Sequence, residues 1–314
     1  MKWTLRTETT PADYKAMARL RSLITGESVS TEEVQERYDL LPEGSILHLV
    51  IAESEAGRFL GYGEAFRYAT TLRGKFYVNV AVDPAHRGQG IGGELAAEIE
   101  RFTAGHGAAL LCTEVEDRDL GSVAFAERRG YQTRRHGYSS WLDLRSFELA
   151  RYSGLLAAAR EGGFRFFTLA DDPSDAMKQQ LYELYAETMV DIPGYEAERF
   201  MAYETWHKMV TELSGTRPDW VFIAAEGSRL AGVTTAVDRE TYVYTNHTLV
   251  RREFRGRGLA LALKLLAIEA ALRHGATRMS TGNDSRNGPM LAVNQRLGYV
   301  PESGTYEMVK RPHA

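Results

Sequence analysis

Runs rich in apolar and β-favouring residues recur in a fixed order along the chain. A short strand is expected at 3–7, then strands at 46–52, 59–68 and 75–82. A longer segment follows with apolar residues at helical spacing: Ile91, Leu95, Ile99 and Phe102. A strand at 109–115, a short helix and a terminal strand close the series. The same order returns later, with strands at 164–169, 220–225, 230–237, 241–250 and 278–282. Its long helix carries Leu261, Leu265, Ile268 and Leu272. Two more helices are expected at 174–189 and 196–213, parted by the turn Asp191-Ile192-Pro193-Gly194. Each half reads as a mixed α/β unit with a mostly antiparallel front and one β-α-β crossover.

The recurrence extends to residue identity. Shifting the chain by 255 − 87 = 168 places Arg87-Gly88 on Arg255-Gly256, His106-Gly107-Ala108 on His274-Gly275-Ala276, and Gly130-Tyr131 on Gly298-Tyr299. From Val82 to Tyr131 the two copies share 14 of 50 positions without a gap, where composition alone gives roughly three. The chain reads as a tandem duplication. Residues 144–160 are apolar at helical spacing and end at Glu161-Gly162-Gly163. The expected division is 1–144 for the first domain, a linker helix at 145–163, and 164–314 for the second.

Composition narrows the function without naming it. The 314 residues are about twice a common domain length. A formal charge of −4 gives no bulk reason to expect nucleic acid or an anionic membrane as partner. The arginine cluster Arg251, Arg252, Arg255 and Arg257 is short and coincides with a glycine turn. The single cysteine, Cys112, excludes an intrachain disulfide and a multi-cysteine metal cluster, and reads as a small buried side chain. No metal site and no obligate protein partner are expected. Leu259 to Leu272, the most apolar stretch, is broken by Lys264 and Glu269 and reads as a packed helix. Without an apolar leader in the opening residues, the cytoplasm is the expected location.

The chemistry concentrates where a strand ends in a glycine turn that opens a helix. Glycines permit positive φ and close approach, so successive N–H groups converge on an anion at the helix N-terminus. Arg87 and Arg255 add charge beside it. The turn lacks the lysine-hydroxyl ending of a nucleotide-triphosphate loop. Gly88, Gly90 and Gly93 satisfy a dinucleotide fingerprint, but Leu261 breaks it in the copy. The pattern common to both copies is Arg-x-x-Gly-x-(Gly/Ala), with valine five residues earlier.

Val82-Asp83-Pro84-Ala85-His86-Arg87-Gly88-Gln89-Gly90-Ile91-Gly92, and Val250 through Ala260 in the copy, resemble the GNAT superfamily of N-acetyltransferases. An Asn eleven residues before a Gly-aromatic pair belongs to the same pattern. It stands as Asn287 before Gly298-Tyr299, with Asp119 before Gly130-Tyr131. The resemblance spans nearly the whole chain twice and is similar in layout to double-domain members. It implies two GNAT domains and acetyl-CoA or another acyl-CoA as cofactor, with its pantetheine arm in a gap between two parallel strands. Val82 and Val250 would lie at the thioester. Arg87, Gly88, Gln89, Gly90, Ile91 and Gly92 would hold the pyrophosphate, as would Arg255, Gly256, Arg257, Gly258, Leu259 and Ala260 in the copy. Asn287 would start the following helix and reach the cofactor.

The resemblance thins at the reacting groups. Where many members place an acidic tyrosine, this chain has Ala126 and Asn294; where they place a basic glutamate, it has Phe76 and Tyr244. Candidate proton acceptors are therefore Asp238, Tyr244 and His247 in the second half, with Glu64 and Glu114 in the first, while Asn294 could donate a hydrogen bond to the sulfur without giving up a proton. The neutral Asn287 beside a polyanion favours the second half over Asp119 in the first. The leading expectation is transfer of an acetyl group from acetyl-CoA to a small-molecule amine. Non-catalytic acyl-CoA binding or sensing, and a dinucleotide oxidoreductase, are the rivals. The 191–194 turn, Tyr195 and the aromatic run Tyr203 to His207 are expected to line the acceptor entrance.

Overall fold

The computed structural model describes residues 2–312, apart from 27, 40, 70, 195–199 and 212–214. It divides into two compact units, Met1–Arg134 with Tyr306–Ala314, and Arg135–Thr305. The elements of the first part of the chain are β1 (Trp3–Arg6), α1 (Pro11–Thr25), α2 (Thr31–Asp39), β2 (Ile46–Ser54), β3 (Phe59–Arg67), β4 (Lys75–Val82), α3 (Ile91–Gly105), β5 (Leu110–Glu116) and α4 (Leu120–Arg128). Then come β6 (Gln132–Asp143), α5 (Ser153–Glu161), β7 (Phe164–Thr168), α6 (Asp175–Thr188), α7 (Tyr203–Thr211), β8 (Thr216–Glu226), β9 (Arg229–Asp238), β10 (Val243–Val250), α8 (Leu259–Arg273), β11 (Arg278–Asp284), α9 (Gly288–Arg296) and β12 (Val300–Lys310).

In the first unit β1 to β4 form an antiparallel meander. The α3 crossover then returns the chain to β5, parallel to β4. The second unit repeats this with β7 to β10, α8 and β11. The edge of β11 is filled by β6, antiparallel from Arg278↔Asp143 to Asp284↔Gly137. Residues 135–144 therefore group with the second unit and Tyr306–Ala314 with the first. A division at 144 and 164 does not coincide with these units, because the strand after each copy's last helix completes the sheet of the other copy. The segment read as a linker helix is two 3-10 turns, Leu144–Ser146 and Leu149–Tyr152, followed by α5. Leu144, Phe147, Leu149, Tyr152, Leu155 and Ala159 pack into the second unit's core.

Each sheet buries apolar side chains on both faces. In the first unit Val50, Leu60, Phe76, Val82, Leu95 and Ile99 meet on the α3 side, while Met17, Val34, Ile51 and Tyr62 meet under α1 and α2. The second unit has the same two layers. α8 is buried nearly all round, which accounts for its lack of a polar face. Cys112 is buried, and burial pushes its thiol pKa up. Among the described residues no helix is long and apolar enough to cross a membrane.

Gly61 and Gly232 occupy matched positions where the neighbouring strand passes close. A Cβ on Gly61 would stand 2.5 Å from the Ala81 carbonyl oxygen, and one on Gly232 2.7 Å from that of Leu249. Backbone on both sides leaves little room to relax. Gly61→Ala and Gly232→Ala should each cost about 1–3 kcal/mol, read as lower midpoints in denaturant unfolding. Unchanged midpoints would show that the strands can separate cheaply.

Candidate active site

The glycine turns take the same form in both units. Gly88 and Gly90 have φ of 76° and 94°, and Gly256 and Gly258 of 76° and 77°. Gly90 and Gly258 are the N-cap residues of α3 and α8. A Cβ on Gly88, Gly256 or Gly258 would meet nothing within 4 Å, so the turns face open space. Among the described residues the amides of Gly88, Gln89, Gly90, Ile91 and Gly92 find no protein acceptor, and neither do those of Gly256, Arg257, Gly258, Leu259 and Ala260. A row of unpaired N–H groups at a helix N-terminus fits a diphosphate.

The arginines act differently from the free cations expected. Arg87 Nε donates to the Val82 carbonyl at 3.2 Å, and Arg255 Nε to that of Val250 at 3.0 Å. Each guanidinium closes its turn onto the end of the preceding strand. Arg87 also lies 3.4 Å from Asp119. Arg255 pairs with Asp191 at 2.5 Å, and Arg252 pairs with the same carboxylate. Hydrogen bonding from Arg252 holds Asp191 down at about 2, with Arg255 adding to it against the opposing effect of burial. Arg257 pairs with Glu226 at 2.9 Å.

Beside each turn the two parallel strands part. β4 and β5 are paired only at Lys75↔Leu110, Phe76↔Leu111 and Tyr77↔Cys112. β10 and β11 are paired only at Val243↔Met279, Tyr244↔Ser280 and Thr245↔Thr281. Beyond these the strands run on to Val82 and Glu116, and to Val250 and Asp284, without laddering to each other. The gap in each unit opens toward its glycine turn. Asp119 and Asn287 cap α4 and α9 at the far side, accepting from Ser122 N at 2.9 Å and Met290 N at 3.4 Å. Burial works against ionisation of Asp119, but hydrogen bonds from Ser122 and the Arg87 guanidinium outweigh it and keep the carboxyl below its ordinary value. That site therefore carries a negative charge that Asn287 lacks.

A bulge between Thr245 and His247 distinguishes β10 from β4. It inserts one residue, so Phe76 corresponds in the ladder to Val243, and Tyr77 to Tyr244. After the bulge the shift of 168 returns and Asn79 matches His247. The pairing of Phe76 with Tyr244 expected from sequence is thus off by one residue, which reverses the face. Val243 packs toward α8. Tyr244 faces α6 and α7, and its hydroxyl would stand 3.0 Å from a Cβ on Gly282 of β11. It crosses the apex of the gap.

The remaining candidates separate. His247 lies on the α6 side, 5.7 Å from the Tyr185 ring in an edge-on contact, with Nδ1 buried and unpartnered. Burial lowers its pKa to about 4, so the imidazole is neutral at neutral pH. Asn294 is buried on α9 and donates to Asn283 Oδ1 at 2.7 Å, leaving its own Oδ1 unpaired. Asp238 is not at the site: it pairs with Val243 at the opposite end of β10 from the turn and lies 2.9 Å from His274 Nε2. In the first unit Glu64 is buried and opposite Asn79. It accepts from the Tyr38 hydroxyl at 2.6 Å and Asn79 Nδ2 at 3.3 Å, with Arg37 and Arg21 at 3.7 and 3.9 Å. Its counterpart in the second unit is Thr235, opposite His247. Of the expected acceptor wall, Trp206 is buried in the core with Tyr182 and Tyr185, Asp191 is tied to the arginines, and Tyr195 lies outside the described residues. Among the described residues no three His, Cys, Asp or Glu side chains gather to hold a metal.

Fold and glycine turn are those of one kind of α/β unit, present twice. The acetyltransferase (GNAT) family model matches residues 14–131 and 178–299, and the chain belongs to that family, which generally binds acetyl-CoA. Among curated proteins no relative matches. A GCN5-related N-acetyltransferase from Sphaerobacter thermophilus is similar over 99% of this chain and 97% of its own, at 21% identity and a TM-score of 0.66. A tandem GNAT protein from the clavulanic acid biosynthesis pathway is similar over 100% and 99%, at 20% identity and a TM-score of 0.62. The GCN5-related glucosamine N-acetyltransferase region of a fungal multi-domain GH3 β-N-acetylglucosaminidase is similar over 98% of this chain and 38% of that one, at 14% identity and a TM-score of 0.68. At these identities the likeness is one of fold.

Sequence reading passed over Lys264 except as an interruption of an apolar helix. It is 1% exposed on α8, with its ammonium 4.9 Å from the Tyr299 ring centre. Burial lowers its pKa to about 7. Between pH 7 and about 10.5 the unfolded chain holds one more proton here than the folded chain, so this group makes stability rise with pH across that window by about 1.4 kcal/mol per unit. Lys264→Met should be more stable than the parent near pH 7, with the advantage shrinking toward pH 10 in denaturant unfolding. An advantage constant with pH would contradict the burial of a titrating amine.

Proposed function

We propose that the protein is an acyl-CoA-dependent N-acyltransferase, using acetyl-CoA or another acyl-CoA, that acts on the amine of a small molecule, with catalysis in the second unit. The reading rests on one observation above the others: the β10–β11 ladder stops after Thr245↔Thr281 and opens onto a turn of unpaired amides. An extended arm with amide groups can complete the unpaired strand edges, while its diphosphate meets the amides of 256–260. When bound, the cofactor supplies a thioester, an acyl group already activated toward an amine.

The chain's own residues then place the acceptor. An attacking amine must arrive uncharged, and it loses a proton as the nitrogen–carbon bond forms and the carbon–sulfur bond breaks; the departing thiolate takes up a proton. His247 offers a neutral ring with an unpartnered nitrogen on the α6 side of the gap, suited to hydrogen bonding an incoming amine rather than repelling its ammonium form. Most of the acceleration then comes from holding the amine against the thioester, with water carrying the proton away. In the first unit the residue matching His247 is Asn79, which donates to Glu64, a carboxylate also engaged by Tyr38.

Asn287→Asp keeps the helix cap, as Asp119 does in the first unit, and adds a charge beside the proposed cofactor. It should lower turnover, followed as thiol release with acetyl-CoA and a panel of small amines, by about tenfold. Arg255→Glu should abolish release and Arg87→Glu should not. The reverse pattern would move catalysis to the first unit, and CoA binding without thiol release toward any amine would favour a sensing role. A chain that binds neither CoA nor acetyl-CoA in thermal-shift titration would end both readings.

A further inference from the structure

Under-satisfied buried polar groups gather beneath the apex of the second unit's gap. Thr245 closes the β10–β11 ladder, and its carbonyl accepts from Thr281 Oγ1 at 3.2 Å. Its own hydroxyl is buried. The Tyr299 hydroxyl lies beside it, also buried, and the two hydroxyls have only each other to interact with. Over the Tyr299 ring stands Lys264, with which no carboxylate pairs among the described residues. Asn294, whose backbone carbonyl accepts from Tyr299 N at 3.0 Å, presents an unpaired Oδ1.

The fold does not require this cluster. In the first unit the corresponding residues are Ala96 for Lys264, Ala126 for Asn294 and Val78 for Thr245, all buried and apolar. Only the tyrosine, Tyr131, is shared. Two hydroxyls that face only each other leave one O–H donor unsatisfied, and an unpaired buried ammonium is costlier still. A protein that carries these costs at one place, where its own duplicate shows an apolar solution, has a polar ligand group to receive there.

We propose that this cluster is a pocket for the acyl end of the cofactor and that it selects an acyl group ending in a carboxylate, such as the monothioester of a four-carbon dicarboxylic acid. An ammonium and the O–H that the Thr245–Tyr299 pair leaves over form a donor set with a charge to balance, and a carboxylate is the group that satisfies both. The placement follows from the gap: an arm entering over the glycine turn points its reacting end at the apex, where Tyr244 crosses above and Thr245, Tyr299 and Lys264 lie below. A methyl group there would leave the donors unpaired. The first unit, with alanine and valine in these places, takes the uncharged acyl group. The low pKa that burial imposes on Lys264 accords with an amine awaiting a counter-ion.

This inference rests on the acyl-CoA reading, and titration calorimetry on the full chain separates the two. Succinyl-CoA should bind one site per chain about tenfold or more tightly than butyryl-CoA, which has the same carbon chain without the carboxylate. Lys264→Met should erase the difference while still binding CoA, and Tyr299→Phe, which removes only a hydroxyl, should reduce it. Retained CoA binding reports that the variants fold. Equal affinity for the two acyl-CoAs in the parent protein, or a preference that survives Lys264→Met, overturns the pocket and leaves the acyltransferase reading standing. Failure of CoA itself to bind overturns both.

Discussion

Parallel pairing between β10 and β11 ends after three residues, and the rest of the second unit is arranged around that early end. Two strands that part inside a sheet leave main-chain groups needing partners, and the fold tolerates this only where a ligand or solvent can supply them. The glycine turn follows directly from the diverging β10, so the opening and the row of free amides form one continuous lining. Arg255 makes that continuity rigid by tying the turn to the carbonyl of Val250. Arg87 does the same in the first unit, which makes these arginines positioning residues first and cations second.

Around this shared frame the two copies have diverged in matched places. Above the sheet, the first unit buries Glu64 among Tyr38, Asn79 and two guanidiniums, whereas the second has Thr235 and a neutral His247 against Tyr185. Below it, the first unit is apolar where the second holds Lys264, Thr245 and Asn294. At the helix that follows the gap, one copy caps with an anion and the other with a neutral amide. Differences of this kind, confined to the lining and absent from the frame, are what two duplicated sites acquire when they take different ligands.

Much of the frame was legible in sequence because its signals are local. Two glycines at fixed spacing before an apolar helix, and Asn287 before Gly298-Tyr299, declare a turn and a cap within a dozen residues. The bulge at Thr245/His247 was invisible, since one extra residue changes the face of every side chain before it without altering composition. It displaced the equivalence of Tyr244 by one. Asp238 looked reactive only because its partner His274 is distant in sequence. The pairing of β6 with β11 was equally hidden, since nothing local in 135–143 says which strand it meets. Lys264 read as a break in an apolar run, when the break was the informative residue.

In the proposed function, the amides of the second glycine turn and the parted edge of β10 hold an acyl-CoA. Hydrogen–deuterium exchange on the full chain, with and without acetyl-CoA, tests it at the atoms concerned. Slowed exchange is expected across 246–250 and 256–260 on adding the ligand, as the amides of 256–260 gain acceptors they lack in the free protein and the β11-facing edge of β10 is covered. Unchanged exchange in both segments under saturating acetyl-CoA would contradict it.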